Sequence, residues 1–211
     1  MTIEHPKKIL IADDHFIVRG GLELILKKHF SGYELFFASN LKEILSLLKI
    51  SDFDLMILDV DFEEDNSINF ISDIFDLQPQ IKILIYSGLD EDLYAPKFFE
   101  FGVLGFLSKL SIETEVIDAI ACVLKGEHYL SKNMKDKMLK GLLKSTDNPL
   151  NTLSKREFEI MSLLAKGNGN LEISNKLNIR PTTISTYKSR IFEKLKITNL
   201  SELIELFKIY N

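Results

Sequence analysis

Up to about residue 125 the chain alternates short, apolar, β-rich runs with longer stretches of helical period, and that alternation leaves few folds open. The runs are Ile9–Ala12, Glu34–Ala38, Leu55–Leu58, Ile81–Tyr86 and Gly105–Leu107. Between them apolar residues return every three or four positions, as in Val18, Leu22, Ile25, Leu26 and in Leu41, Ile44, Leu45, Leu48. Strands alternating with helices build a parallel sheet covered on both faces, whose central strands must be apolar on both sides. Leu55-Met56-Ile57-Leu58 and Ile81-Lys82-Ile83-Leu84-Ile85 nearly meet that demand. The expectation is an α/β fold, a doubly wound five-stranded parallel sheet, with no internal repeat and no low-complexity tract.

Beyond residue 125 the pattern changes. Residues 126–149 read as a linker containing a helix: a Lys-rich amphipathic piece from Lys132 to Lys144, then Ser145-Thr146-Asp147-Asn148-Pro149 with turn chemistry. Ser154-Lys155-Arg156-Glu157 is a capping box that opens a helix to about Ala165, broken by Gly167-Asn168-Gly169. A second helix, Asn170 to Leu177, is expected to bury Ile173 and Leu177. The three-residue turn Asn178-Ile179-Arg180 leads into a third with Pro181 at its first position, and a fourth runs from Leu200 to about Lys208. Residues 150–211 are therefore expected to form a small all-α, four-helix, helix-turn-helix domain. Charge divides at the same place, with a net −9 over 1–147 and +4 over 148–211. An acidic first part and a basic second part imply different partners, nucleic acid for the second.

The single cysteine, Cys122, excludes a disulfide framework, and its apolar surroundings suggest a buried structural thiol. A reducing, cytoplasmic compartment fits. No run reaches the ~18 apolar residues of a membrane span, and the N-terminus lacks a signal-peptide pattern, so no membrane partner is expected.

Chemistry concentrates where strands end. In an open α/β sheet, side chains just beyond the carboxyl ends of the strands line the ligand crevice. The first strand ends in Asp13-Asp14, the third in Asp59, the fourth in Ser87-Gly88 and the fifth in Phe106-Leu107-Ser108-Lys109. With strand order 2-1-3-4-5, the three carboxylates converge. They suit an octahedral Mg²⁺, with a lysine and a hydroxyl left to hold phosphoryl oxygens and one carboxylate to attack phosphorus. A lone strand-end Asp is commonly a cap or turn residue, and the convergence is what argues for function.

Through Ile11-Ala12-Asp13-Asp14-His15, Arg19-Gly20-Gly21-Leu22, Met56-Ile57-Leu58-Asp59-Val60, Ile85-Tyr86-Ser87-Gly88 and Gly105-Phe106-Leu107-Ser108-Lys109, residues 8–125 resemble the flavodoxin-like receiver domain of two-component response regulators. The resemblance implies phosphorylation of Asp59, Mg²⁺ on Asp13, Asp14, Asp59 and the Asp61 carbonyl, and phosphoryl contacts from Lys109 and Ser87. It makes Phe106 the aromatic that turns inward when Ser87 moves, and it limits catalysis to the chain's own phosphorylation and dephosphorylation. His15 reads as a surface residue, and the helix after Arg19 as an amphipathic one open to serving as a dimer face. Two departures stand out. The loop after Asp59 carries Asp61, Glu63, Glu64 and Asp65 without the usual Pro and Gly, and Leu110 stands where a Pro is common.

In the basic domain, Ile184, Tyr187, Ile191 and Leu195 fall on one stripe of the third helix. The other face offers Thr182, Ser185, Thr186, Ser189, Glu193 and Lys196, flanked by Arg180, Lys188 and Arg190, which suits a helix in a DNA major groove. Residues 150–208 resemble the LuxR-type domain of NarL/FixJ-class regulators, through Leu153-Ser154-Lys155-Arg156-Glu157, Ala165-Lys166-Gly167, Glu172-Ile173, Thr183-Ile184-Ser185-Thr186-Tyr187 and Lys194-Leu195. The family's contact positions map onto Ser185, Thr186, Lys188 and Ser189. Ser185 replaces a common Lys, Tyr187 a His, and Arg180 a capping Ser.

The combined expectation is a transcriptional response regulator: a receiver over 1–125, a linker over 126–149 and a DNA-binding domain over 150–211. A sensor histidine kinase would phosphorylate it on Asp59 with Mg²⁺, which would control homodimerisation and binding to double-stranded promoter DNA. Two other readings stand beside it. One is a receiver that acts without phosphorylation, motivated by the acidic loop. The other is a haloacid-dehalogenase-like phosphatase, because Leu58-Asp59-Val60-Asp61 resembles that family's Asp-x-Asp motif, which leaves Asp13-Asp14 and the helix-turn-helix unexplained.

Overall fold

The computed structural model describes residues 7–60, 69–139 and 148–210. The chain divides into two compact units, Met1–Lys144 and Ser145–Asn211.

In the first unit, β1 (Lys7–Ala12), β2 (Tyr33–Ala38), β3 (Leu55–Leu58), β4 (Lys82–Ser87) and β5 (Gly105–Ser108) form one sheet in the order β2-β1-β3-β4-β5. Every pairing is parallel, as the expected order requires. The intervening helices are α1 (Phe16–His29), α2 (Leu41–Ile50), α3 (Asn69–Leu77), α4 (Glu91–Glu100) and α5 (Glu113–Leu124). Ile9, Ile11, Leu55 and Ile57 pack with Leu22 and Leu26 of α1 and Val116 and Ile120 of α5. Their strand neighbours Leu10, Met56 and Ile83 are equally buried, so both faces are covered. Helix starts follow local chemistry: Asn40 caps α2 by accepting from Glu43 N–H, and Asp90 caps α4 by accepting from Asp92 and Leu93 N–H.

Two sequence expectations need adjusting here. Cys122 is half-buried: it packs at the margin of the core, where burial and the nearby Glu127 carboxylate push its thiol up. The segment after residue 125 belongs by its contacts to the first unit, because Tyr129 bridges to Gly105 beside β5 and α6 (Lys132–Leu139) buries Met134. The remainder of the expected Lys132–Lys144 helix lies outside the described residues.

The second unit holds a 3-10 turn (Pro149–Thr152), then α7 (Lys155–Ala165), α8 (Asn170–Leu177), α9 (Pro181–Leu195) and α10 (Leu200–Tyr210). Asn178 closes α8 in the left-handed region, a conformation Asn tolerates well. Ile173, Ile184, Ile191 and Leu195 are buried as expected, whereas Leu177 and Tyr187 are only half-buried. A phenol at Tyr187 can face water where an aliphatic side chain would have to turn inward.

The capping box of α7 also anchors this unit. Glu157, 4% exposed, accepts from Ser154 N–H at 2.7 Å and pairs with Lys194 of α9 at 2.6 Å. The Lys194 ammonium and the Ser154 N–H hold its carboxyl at about 2, against an ordinary 4.5. A depressed folded pKa stabilises the fold above the ordinary value, and the gain is lost as pH falls from 4.5 toward about 2. The Lys194 side chain is 42% exposed, which screens the pair, so Glu157→Gln is expected to cost about 1–2 kcal/mol at pH 7. Thermal melts of the two proteins at pH 7 and pH 3 should show the gap narrowing in acid.

Candidate functional site

The ladders of the sheet run one residue past the strand ends, and this carries the acidic residues to one edge. Asp13 N–H donates to Ala38 O at 3.1 Å, Asp59 N–H to Ala12 O at 2.8 Å and Lys109 N–H to Ser87 O at 2.9 Å. Asp13 and Asp59 are each 1% exposed. Lys109 Nζ reaches between them, 2.6 Å from Asp59 Oδ2 and 2.8 Å from Asp13 Oδ2. Burial pulls the ammonium's pKa down, but hydrogen bonding and attraction from Asp13 and Asp59 outweigh it and hold it above its ordinary value. Asp13 Oδ2 is buried, with the Lys109 ammonium as its ion-pair partner.

Two residues given no pocket role in the sequence reading join this cluster. His15 Nδ1 lies 2.6 Å from Asp14 Oδ1 and 3.2 Å from Asp13 Oδ1, and Arg19 Nη1 donates to the Asp13 carbonyl at 2.5 Å. Their signal was position: α1 begins directly after the acidic pair and turns its first-turn side chains back over it. Ser87 is fully buried, and its Oγ accepts from Leu89 N–H at 3.1 Å. Phe106 is fully buried too, its ring 6.0 Å from that of Phe98, so its side chain is already inside. Asp61 and the acidic loop lie outside the described residues.

Ligand atoms of Asp13, Asp14, His15 and Asp59 all fall within 4.8 Å of one another. Two buried carboxylates share the Lys109 ammonium, and Asp14 adds a third carboxylate beside His15. Hard oxygen donors with that charge fit a divalent cation such as Mg²⁺.

In the second unit, α9 exposes Thr182, Ser185, Thr186, Ser189 and Arg190, with Arg180 exposed at its start and Lys196 exposed at its C-terminal cap. Arg180 supplies no side-chain cap, and Pro181 occupies the first turn. Lys188 is half-buried, its ammonium 5.4 Å from the Phe192 ring centre. Ile184, Ile191 and Leu195 anchor the opposite face, so the polar face is held outward by packing.

Residues 9–121 match the response regulator receiver domain family, and residues 151–207 the family of bacterial regulatory proteins, luxR family. The oxygen regulatory protein NreC of Staphylococcus carnosus is 31% identical over 206 residues, covering 94% of this chain and 95% of that protein. The virulence factors putative positive transcription regulator BvgA of Bordetella pertussis is 30% identical over 206 residues, covering 97% and 98%. RcsB from Salmonella enterica serovar Typhimurium, solved bound to a promoter in the presence of phosphomimetic BeF3−, shares the fold at a TM-score of 0.72 and 23% identity. That match covers 98% of this chain and 100% of RcsB. The helix-turn-helix and the Asp13-Asp14 pair, which a phosphatase would leave without purpose, are thereby accounted for. With both domains matched along nearly the whole chain, this protein belongs to the DNA-binding two-component response regulators of the NarL/FixJ class, a receiver joined to a LuxR-type domain.

Proposed function

We propose that Asp59 is the phosphoacceptor, charged by a sensor histidine kinase in the cytoplasm, and that its phosphorylation controls homodimerisation and binding to promoter DNA. The observation that carries this reading is Lys109 Nζ held 2.6 Å from Asp59 Oδ2 at the carboxyl edge of the sheet. A carboxylate oxygen of Asp59 attacks phosphorus, the bond from phosphorus to the kinase's histidine nitrogen breaks with its electron pair going to that nitrogen, and the imidazole, protonated on its other ring nitrogen, leaves neutral. Lys109 swings its charge onto a phosphoryl oxygen, and Ser87 Oγ–H donates to another. Mg²⁺ held by Asp13, Asp14, Asp59 and the Asp61 carbonyl would neutralise the remaining phosphoryl charge. His15 orients Asp14, and Arg19 fixes the backbone beneath Asp13. The chain's catalysis extends only to its own phosphorylation and dephosphorylation.

On α1, Ile17 and Leu24 are exposed on either side of Gly20 and Gly21, whose missing Cβ atoms would meet nothing within 4 Å. That open apolar strip supports α1 as the face a second copy covers.

Intact-mass spectrometry after incubation with a small-molecule phosphodonor tests the central claim. A single phosphoryl adduct that requires Mg²⁺ is expected on the wild type and none on Asp59→Asn. No adduct on folded wild type, with a control receiver phosphorylated in parallel, would favour a regulator that works without phosphorylation.

A further inference from the structure

The chain leaves the receiver sheet along a path with its own fastenings. Tyr129 N–H donates to Leu104 O at 2.8 Å, and Tyr129 pairs with Gly105, extending the β5 edge. Gly105 is required there, since a Cβ would come within 3.2 Å of Tyr129 Cβ and 2.8 Å of Leu84 Cδ1. Ser131 Oγ then donates to Glu91 Oε2 at 2.6 Å while accepting from Met134 N–H, so one hydroxyl both starts α6 and grips α4. One turn further on, Lys137 pairs with Asp92. Beyond α6 the chain continues through residues 140–147 into the DNA-binding unit.

The two anchors, Glu91 and Asp92, are the first two residues of α4, and Ser87 precedes them by a short turn. Ser87 Oγ holds that turn by accepting from Leu89 N–H, and Asp90 caps the helix immediately after. Pro96 has no N–H to give the Asp92 carbonyl, so the first turn of α4 is weakly joined to the rest of the helix. The fastening also carries a cost: Asp92 Oδ1 is buried without a hydrogen-bond partner, and burial raises the Glu91 carboxyl. A contact that carries such costs belongs to the less stable parts of a fold, where local opening is easiest.

We propose that residues 128–137 form a regulatory strap, locked to the first turn of α4 through Glu91–Ser131 and Asp92–Lys137 and released when Ser87 turns toward a phosphoryl group on Asp59. The trigger rests on the reading of Asp59 as phosphoacceptor; the mechanical link does not. When Ser87 Oγ leaves Leu89 N–H, the turn that sets the Asp90 cap loosens, the two anchor carboxylates shift, and Ser131 and Lys137 lose their partners. Release frees the segment that leads into the DNA-binding unit.

Amide hydrogen exchange on the full chain tests both parts. In the double variant Ser131→Ala/Lys137→Ala, without any phosphoryl mimic, exchange is expected to rise about tenfold across residues 128–137 and, by reciprocity, at residues 91–94. A loosened strap beside an α4 first turn that keeps its wild-type protection overturns the link. Beryllofluoride with Mg²⁺ on the wild type is expected to reproduce the same two changes while protecting the amides around Asp59, with no effect on Asp59→Asn. Pocket protection without strap release overturns the proposal and leaves the phosphoacceptor reading standing. Absence of pocket protection overturns the trigger through its premise, and the double variant then decides the link alone.

Discussion

Replacing Lys109 with methionine is expected to lower the stability of the receiver by about 3 kcal/mol in the absence of divalent cation, since truncating one member of a buried ion cluster strands the others. Asp13 and Asp59 are each 1% exposed, and Lys109 is the cation placed between their carboxylates. The low end of the usual 3–5 kcal/mol range applies, because the lysine side chain keeps 18% of its exposure. Saturating Mg²⁺ should return much of that loss, as a ligand at a hundred times its dissociation constant adds about 2.7 kcal/mol. Melting temperature against Mg²⁺ concentration should therefore climb more steeply for Lys109→Met than for wild type. Phosphorylation by a small donor should fall by about 10²–10³-fold, the usual effect of losing one charge-stabilising donor. The folded pKa of Lys109 is raised, so its stabilisation is whole below 10.5 and lost only as pH climbs through that higher value. The gap between the proteins should thus stay constant across the neutral range. Melts that match with and without Mg²⁺ would contradict the bridging role of Lys109.

The strands, the helices and the outward face of α9 were legible in the sequence because each follows from a short repeat, whereas the strand order, and with it the convergence of Asp13, Asp14 and Asp59, came with the resemblance to receiver domains. Period two or a fully apolar run marks a strand, period three to four a helix, and residues at the ends of strands adjacent in the sheet meet once the order is given. The boundaries Glu34–Ala38 and Gly105–Leu107 differ from β2 and β5 by one residue, the ordinary fraying of element ends. What escaped was set by contacts without a period. Ser131 and Glu91 are forty residues apart, and nothing in either neighbourhood marks the other as its partner. Hence residues 126–139 read as linker although Tyr129 is nearly buried against the sheet edge. Cys122 shows the reverse error: an apolar run implied full burial, but its place on α5 turns it toward the margin, beside Glu127. The roles of His15 and Arg19 were hidden in a similar way, since a polar side chain near the start of a helix has several uses until the backbone shows where it bends.

On promoter DNA, Arg180→Ala/Arg190→Ala and Ser185→Ala/Thr186→Ala are expected to fail in different ways. Arg180 and Arg190 are exposed at the start and on the flank of α9, and the proposed reading gives them phosphate contacts. Losing both should weaken binding about tenfold or more on every duplex at low salt, and reduce the dependence of log K on log salt by about two counterions. The hydroxyls behave otherwise. Ser185 bonds back to the Pro181 carbonyl, Thr186 to that of Thr182 at 3.1 Å, and Ser189 to that of Ser185 at 3.2 Å. With the single O–H spent inside the helix, each oxygen is left as an acceptor, that of Ser185 shared with Asn170 Nδ2–H at 3.3 Å, and suits the amino groups of adenine and cytosine in the major groove. Removing two such contacts should cost about 1–3 kcal/mol each on a duplex selected from a random pool and far less on a scrambled one, with the salt slope unchanged. If the protein binds as the proposed homodimer, an inverted repeat of half-sites about one helical turn apart is favoured, and titration should end at two chains per duplex. Equal losses on selected and scrambled DNA for the hydroxyl variant would mean that α9 positions the domain without reading bases, and sequence preference would then have to come from the shape of the DNA.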